Sequence, residues 1–541
     1  MKKLIYISIA FFLLLNSCAD FLVEENKSSA TAENFYVTKN GYEALVNSAY
    51  ATLRDVYGGT PYMYCAGTDL FFGAHQDAPL ALTTYLSLTP GSPHVSSFFE
   101  KLYQSIQVCN TAVYYNGVTE ESVSLESRLG EVKFLRAYYY FLLVQTFGDV
   151  TLVENMVSEP ITHFERNAAS EVYDFIIAEL EEAALLVPES QEDFGRVTLD
   201  ALNHILSKVY LTRAYEEYGQ ENDFQMAADA AEKVLARRNL YPNYADIFKY
   251  MNDNNSEVLF SIQYDEVSLM NGGAHNWDYP WGPLIQGAGE GVSKKNLLHP
   301  TEYLYRVYDD YDSRFEGTFW NILTNPFYNA VLATYTSDIA YYFPRTDEEI
   351  ANVDNWVKER RRFRENAVIV PMGESWWDGN NQASFPPLKK FDRLQTDDKR
   401  YTHDLFLCRV GETYLNAAEA YWQLGNVNRA LELVNAVRRR AAMDGHQTDM
   451  EIEAAALDLD FLLDERAREL AGEGHRWFDL KRTGKLMERT KIHNPDIRSL
   501  YNSGTDPFLG NNGTYKILRP IPLGAIALDS GEYPQNPAYA D

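Results

Sequence analysis

The chain has 541 residues, 48 of them basic and 77 acidic, giving a net charge of −29 and a pI near 4.8. That balance excludes a nucleic-acid binder and a protein held to anionic lipid by charge, both of which need a basic footprint. Beyond residue 18 only Cys65, Cys109 and Cys408 remain, so at most one bridge could form and a disulfide-framed fold is excluded.

The N-terminus opens on Lys2 and Lys3, followed by an almost wholly apolar run from Leu4 to Leu15. A spanning helix needs ~20 apolar residues, so this shorter run reads as a signal-peptide core. It ends in Leu15-Asn16-Ser17-Cys18, which resembles a bacterial lipobox. The expectation is acylation of Cys18 and removal of residues 1–17. The alternative is an ordinary secreted chain in which Cys18 is incidental. No later segment is long and apolar enough to cross a bilayer, so the lipid is expected to be the only anchor, each buried methylene contributing ~0.8 kcal/mol.

Helical periodicity then recurs in pairs. Gly41–Tyr57 pairs with Ser97–Tyr115, and Leu129–Phe147 with Ser170–Leu186. From Leu199 to Arg238, Ser207 and Tyr210 mark a first helix, and Phe224, Ala227, Ala231 and Val234 a second. The clearest pair is Glu412–Arg440. There Tyr414, Ala418, Tyr421, Gly425, Ala430 and Val434 fall at the spacing of a tetratricopeptide helix–turn–helix, with Gly425-Asn426 as the turn. One such hairpin cannot bury its apolar face, so the pairs must stack. The predicted fold is therefore mainly α: a tetratricopeptide-like helical-repeat scaffold with long loop-rich insertions and a few short strands. An N-terminal helical-repeat region is expected over 18–240 and a C-terminal region over 241–541. The latter holds a loop-rich insertion at 241–403 and a closing helical repeat at 404–486, all packed as one unit. Val258–Gln263 and Ala367–Pro371 read as small strands. Cys109 and Cys408 sit in apolar helical patterns and read as buried small hydrophobes.

The insertions are where chemistry is expected, because loops on a rigid scaffold carry binding residues. The chain has 38 Tyr, 28 Phe and 8 Trp, and many lie in Gly/Asn/Pro-rich stretches instead of periodic ones. Phe71 and Phe72 lie in GTDLFFGAHQD (67–77), beside Asp69 and His75. Asn276, Trp277, Tyr279 and Trp281 lie in NGGAHNWDYPWGPLIQGAGEG (271–291). Trp320 follows the Asp312/Arg314 segment, and Trp376 and Trp377 lie in PMGESWWDGNNQASFPP (371–387). A sugar ring packs its C–H face on such rings while amide and carboxyl neighbours bond its hydroxyls, so these nine residues are the candidate ligand contacts. The alternative is that the rings merely anchor their loops to the scaffold.

Catalytic signatures are missing. The sequence contains no HExxH, GxSxG, Walker A or CxxC. GAGEG at 287–291 has no βαβ unit around it, and the ten His are dispersed without ligand spacing. No catalytic residue, metal or cofactor is expected. The charged run from Glu465 to Arg482 reads as a salt-bridge network fixing the last helices, with Arg466 paired to Asp464 or Glu469.

Five segments resemble the SusD/RagB family from end to end. They are Asp20-Phe21-Leu22 after Cys18, EVKFLRAYYYFLLVQTFGDVTLV (131–153), HPTEYLYRVYDDYDSRFEGTFW (299–320), LLDERARELAGEGHRWFDLKRTGKL (462–486) and RPIPLGAIALDS…QNPAY (519–539). Thr151 stands where that family usually has Pro, and Ala538 where it usually has Gly. The resemblance implies a cell-surface, lipid-anchored outer-membrane protein of Bacteroidetes type and not an enzyme. It would be a lid on a SusC/RagA-type TonB-dependent transporter, delivering oligomeric nutrients, usually glycans and sometimes peptides. The rival readings are a surface glycoside hydrolase or lyase, with two positioned carboxylates, and a protein-only tetratricopeptide scaffold.

Overall fold

The computed structural model describes residues 32–73, 78–119, 125–249, 251–264, 275–277, 279–281, 297–324, 339–352, 363–369, 385–391 and 402–540. Cys18, Trp376 and Trp377, and the side chain of Tyr279, lie outside the described residues.

Helix α1 (Lys39–Tyr57) is capped by the Thr38 hydroxyl, which accepts from Gly41 N. It buries Tyr42, Leu45, Val46, Ala49, Leu53 and Val56, an i, i+3/i+4 stripe that faces one neighbour. That neighbour is α2 (Pro93–Asn116), which starts with Pro at its first turn. Next come α3 (Glu126–Phe147), α4 (Ala169–Ala184), α5 (Leu199–Arg213) and α6 (Asp223–Leu235). Each packs on the one before it, so the pairs expected from sequence stack into one continuous layer.

The chain then leaves the layer for the long insertion and returns at α7 (Val410–Gln423) and α8 (Val427–Ala441). Helix α7 packs directly on α6, so the repeat resumes in space where it was interrupted in sequence. Small residues make this crossing close: Ala231 of α6, Ala417 and Ala418 of α7, and Ala430 of α8 are fully buried in one cluster. Gly425 turns between α7 and α8 at φ +75°, and the Asn426 side chain caps α8 by accepting from Arg429 N. The layer closes with α9 (Leu459–Leu470), α10 (Arg476–Arg482), α11 (Leu486–His493) and α12 (Pro495–Asn502), again packed in succession.

Strands are few and short among the described residues. β1 (Phe71–Phe72) pairs antiparallel with β3 (His299–Pro300), Phe71 opposite Pro300. β2 (Val258–Ile262), expected from sequence, pairs antiparallel with β7 (Leu405–Arg409). β4 (Ile322–Thr324) lies antiparallel to β5 (Ile339–Tyr342), which runs parallel to β6 (Phe363–Ile369). Two details differ from the sequence reading. β6 begins at Phe363 instead of Ala367, and Cys408 lies on strand β7 instead of a helix. Cys65, Cys109 and Cys408 are all free thiols in the core. No described helix is long and apolar enough to cross a membrane.

Candidate functional site

The insertion is fastened to the helical layer by a buried charge network. Glu465 and Glu469 are four residues apart on α9 and therefore share a face. Arg314 donates from Nη1 to Glu465 (2.7 Å) and Glu469 (2.9 Å), and grips Asp312 through Nε (2.9 Å) and Nη2 (2.7 Å). Arg409, at the end of β7, reaches Glu469 (2.7 Å), Glu257 (2.8 Å) and Glu473 (2.6 Å). Arg438 and Arg440 of α8 complete it, on Glu465 and on Glu257 and Glu469. Burial alone would raise the Glu465 carboxyl, but Arg314, Arg468 and Arg438 overcome it and hold it at about 2. The sequence reading of this run as a structural network agrees with this geometry. Its pairing for Arg466 does not: the Arg466 Nε bonds Asp479 (2.8 Å) and Nη1 bonds Asn416 (2.9 Å).

The loops at 67–73, 275–277, 279–281, 297–301 and 385–391 converge on this base. Asp69 is the pin. Its carboxylate accepts from Arg476 (2.8 and 2.6 Å) and Arg489 (2.9 Å). Those two guanidiniums outweigh the desolvation that would raise it and keep it at about 2. Asn494 donates to Thr68 O (2.8 Å) and Phe71 O (3.1 Å), Asp496 accepts from Gly73 N (3.0 Å), and the Thr301 hydroxyl bonds Asp69 O (2.7 Å). Burial raises the Asp496 carboxyl to about 7 despite the Gly73 bond.

Four of the aromatic candidates correct the sequence reading, because they are core and not platform. Trp277 is 3% exposed, packs against Tyr57, Tyr64 and Phe391, and donates its indole N–H to Tyr57 O at 2.7 Å. Trp281 and Phe71 lie 4.4 Å apart, both buried, and Phe72 packs on Phe385 and His299. Each ring finds enough apolar neighbours from other segments to leave water entirely. Gly474, at φ +87°, lets Trp277 in, since a Cβ there would sit 3.0 Å from the indole. Asn276 stays exposed, and Trp320 is partly buried with Lys389 Nζ 4.8 Å from its ring centroid.

Beside the pinned loops lies a groove of about 290 Å³, between the Glu302–Arg306 helix and the α11–α12 junction. Its walls include Tyr303, Arg306, Ile492, His493, Pro495 and Arg498. The Tyr303 and His493 rings stack at 4.1 Å with planes 28° apart. The Tyr303 hydroxyl donates to Asp464 and accepts from Arg489, which fixes its ring. Arg306 is committed to Glu302 (3.1 Å) and Asp347 (2.9 Å). Among the described residues Arg498 makes a single side-chain bond, to Ile492 O at 3.2 Å. The sequence reading missed this groove. The one local signal is Asn494-Pro495, a capped helix start flanked by His493 and Arg498.

A larger cleft of about 600 Å³ runs along α2, between Phe99, Tyr103, Val153, Phe164, Leu528 and Tyr533. Part of its polarity is already spent, while the side chains of Glu100, Gln104 and Gln107 make no hydrogen bond among the described residues. Tyr103 donates to Thr151 O, the Thr151 hydroxyl to Glu165 O, and Asp529 holds Phe164 N and Gly531 N. The smaller groove differs from it in presenting a fixed pair of stacked rings.

The structure is thus a stacked-helix scaffold whose loops are pinned by buried charge beside an open aromatic groove. The sequence profile of the SusD family matches residues 256–539, and a second profile, described as starch-binding associating with outer membrane, matches 20–211. The chain belongs to the SusD family. SusD-like protein P25 of Formosa agariphila is 26% identical over 90% of this chain and 91% of its own. Starch-binding protein SusD of Bacteroides thetaiotaomicron is 25% identical over 76% of this chain and 73% of its own. Surface glycan-binding protein A of Bacteroides thetaiotaomicron, solved with laminarihexaose, superposes with a TM-score of 0.66. It is 20% identical, over 92% of this chain and 99% of that one. Both of these Bacteroides thetaiotaomicron proteins are named for binding, one of starch and one of surface glycan.

Proposed function

We propose that this protein captures glycans at the outer membrane, anchored through Cys18, and passes them to a SusC/RagA-type TonB-dependent transporter. The observation that carries the reading is the groove, where a fixed pair of stacked rings lies beside a guanidinium with spare donors. Rings offer the flat apolar surface that a pyranose C–H face covers, and the side chains around them bond its hydroxyls. The buried rings Phe71, Phe72, Trp277 and Trp281 support the loops from beneath. The starch-binding relative and the laminarihexaose-bound neighbour support carbohydrate as the ligand.

A hydrolase reading fits this groove poorly. Glycosidases use two carboxylates, whereas the groove's own carboxylate, Glu302, is paired with Arg306. Affinity electrophoresis of the mature protein, with Cys18 replaced, through gels containing a panel of polysaccharides tests capture. Retardation by at least one polysaccharide, without release of reducing ends, is the expected result. Free migration through all of them, or reducing ends released at an enzymatic rate, would overturn it. Delivery is tested separately, by co-purification of an outer-membrane barrel with the tagged protein from its native membrane.

A further inference from the structure

We infer that the groove selects an acidic glycan, with Arg498 receiving a carboxylate or sulfate oxygen pair of the sugar resting on His493 and Tyr303. This rests on the glycan-capture reading and narrows it to a substrate class. Three observations carry it.

The first is Arg498 itself. Its guanidinium has five N–H donors, yet its one side-chain bond is Nη1 to Ile492 O, and no carboxylate of the described residues lies within ion-pair distance. The chain has 29 more acidic than basic residues, and Arg306 on the opposite wall of the same groove has two carboxylate partners. A planar guanidinium left unpaired against a cavity wall matches a carboxylate or sulfate bidentately, which a neutral hydroxyl cannot reproduce.

The second is the ring pair. His493 stacks on Tyr303, whose hydroxyl is held between Asp464 and Arg489, so the platform is fixed before any ligand arrives. Burial also lowers the affinity of His493 for a proton, so the ring stacks as a neutral imidazole and leaves the cationic role to Arg498. The third is position. Asn494 and Asp496, between His493 and Arg498 in sequence, are the residues that hold the 68–73 loop. The segment that forms one wall of the groove therefore also anchors the 68–73 loop.

Carboxylate and sulfate ester offer the same chemistry, so the test carries one arm for each. Calorimetric titrations would compare trigalacturonate and a sulfated galactose trisaccharide with neutral galactotriose, using wild type, Arg498→Gln and His493→Ala. At least one acidic probe should bind wild type about tenfold or more tightly than the neutral trisaccharide, as a charge-assisted bidentate contact implies. The advantage should shrink as salt rises from low to high, and Arg498→Gln should remove it with an unchanged melting temperature. His493→Ala should weaken the acidic probe as well. Equal binding of acidic and neutral sugars by wild type, or an advantage that persists in Arg498→Gln, overturns the inference. If neutral polysaccharides retard the protein while neither acidic probe is preferred, capture stands and the acidic selectivity falls. If nothing in either panel binds, both fall.

Discussion

Replacing Trp277 by Ala separates an anchoring ring from a ligand-contacting one. The indole is buried against Tyr57, Tyr64 and Phe391, and its N–H is satisfied by Tyr57 O. Truncating a buried Trp typically costs 3–5 kcal/mol through lost transfer energy and an unfilled cavity. Leaving Tyr57 O without its donor adds about 1 kcal/mol. The site cannot readily collapse, because Gly474 has no side chain to fill it and Tyr57 is held on α1. An unfolding entropy of about 2.1 cal/mol/K per residue gives a unit of about 500 residues roughly 1 kcal/mol/K. A loss of about 5 kcal/mol then lowers the midpoint by about 5 °C. Trp277→Phe keeps most of the ring and should lose about half as much. Differential scanning calorimetry of the three proteins measures this. A Trp277→Ala midpoint within a degree of wild type, together with lost glycan binding, would refute the core assignment and restore the exposed-platform reading.

Three further outcomes follow from the same geometry. Asp69→Ala strands the guanidiniums of Arg476 and Arg489, so it should cost about 3–5 kcal/mol and loosen the 67–73 loop, read as faster proteolysis near that loop. The Asp496 carboxyl is raised to about 7, so its stabilising protonated form is complete below its unfolded pKa near 4 and is lost as pH rises through about 7. The native state should therefore lose up to about 4 kcal/mol from this group between pH 4 and 8, less where solvent screens it, and Asp496→Asn should flatten that part of the melting-temperature profile. Cys18→Ala should abolish acyl labelling and release the protein from membranes; continued acyl incorporation would refute lipidation there.

Much of the fold was legible because the helix pairs advertise themselves. Ala227, Ala231, Ala418 and Ala430 recur at spacings that only a close helix crossing explains, and Gly425-Asn426 supplies the turn. Strand β7 was not legible. Leu405–Arg409 is five residues long and runs into α7 without a turn residue, Arg409 itself standing at the helix N-cap, so its apolar residues extend the helical pattern. The start of β6 is hidden for a related reason. Phe363-Arg364-Glu365-Asn366 carries too little apolar alternation to read as strand, although Phe363 is in register with Ile339.

The site was harder, since whether a loop aromatic faces solvent depends on surfaces that sequence does not bring together. Trp277 finds Tyr57 and Phe391, residues more than one hundred positions away on either side. The groove joins residues 302–307 to 492–498, a juxtaposition that no local pattern announces. What makes it rigid is the interior charge. Removing a carboxylate and a guanidinium from water costs several kcal/mol per ion, so pairs such as Arg314–Glu465 and Arg476–Asp69 add little stability over well-packed apolar residues. Their consequence is geometric: each admits one register between insertion and scaffold, because any slip leaves a buried charge unpaired. A fold that spends its guanidiniums this way inside leaves Arg498, at the groove wall and with no carboxylate among the described residues, open to a partner from outside.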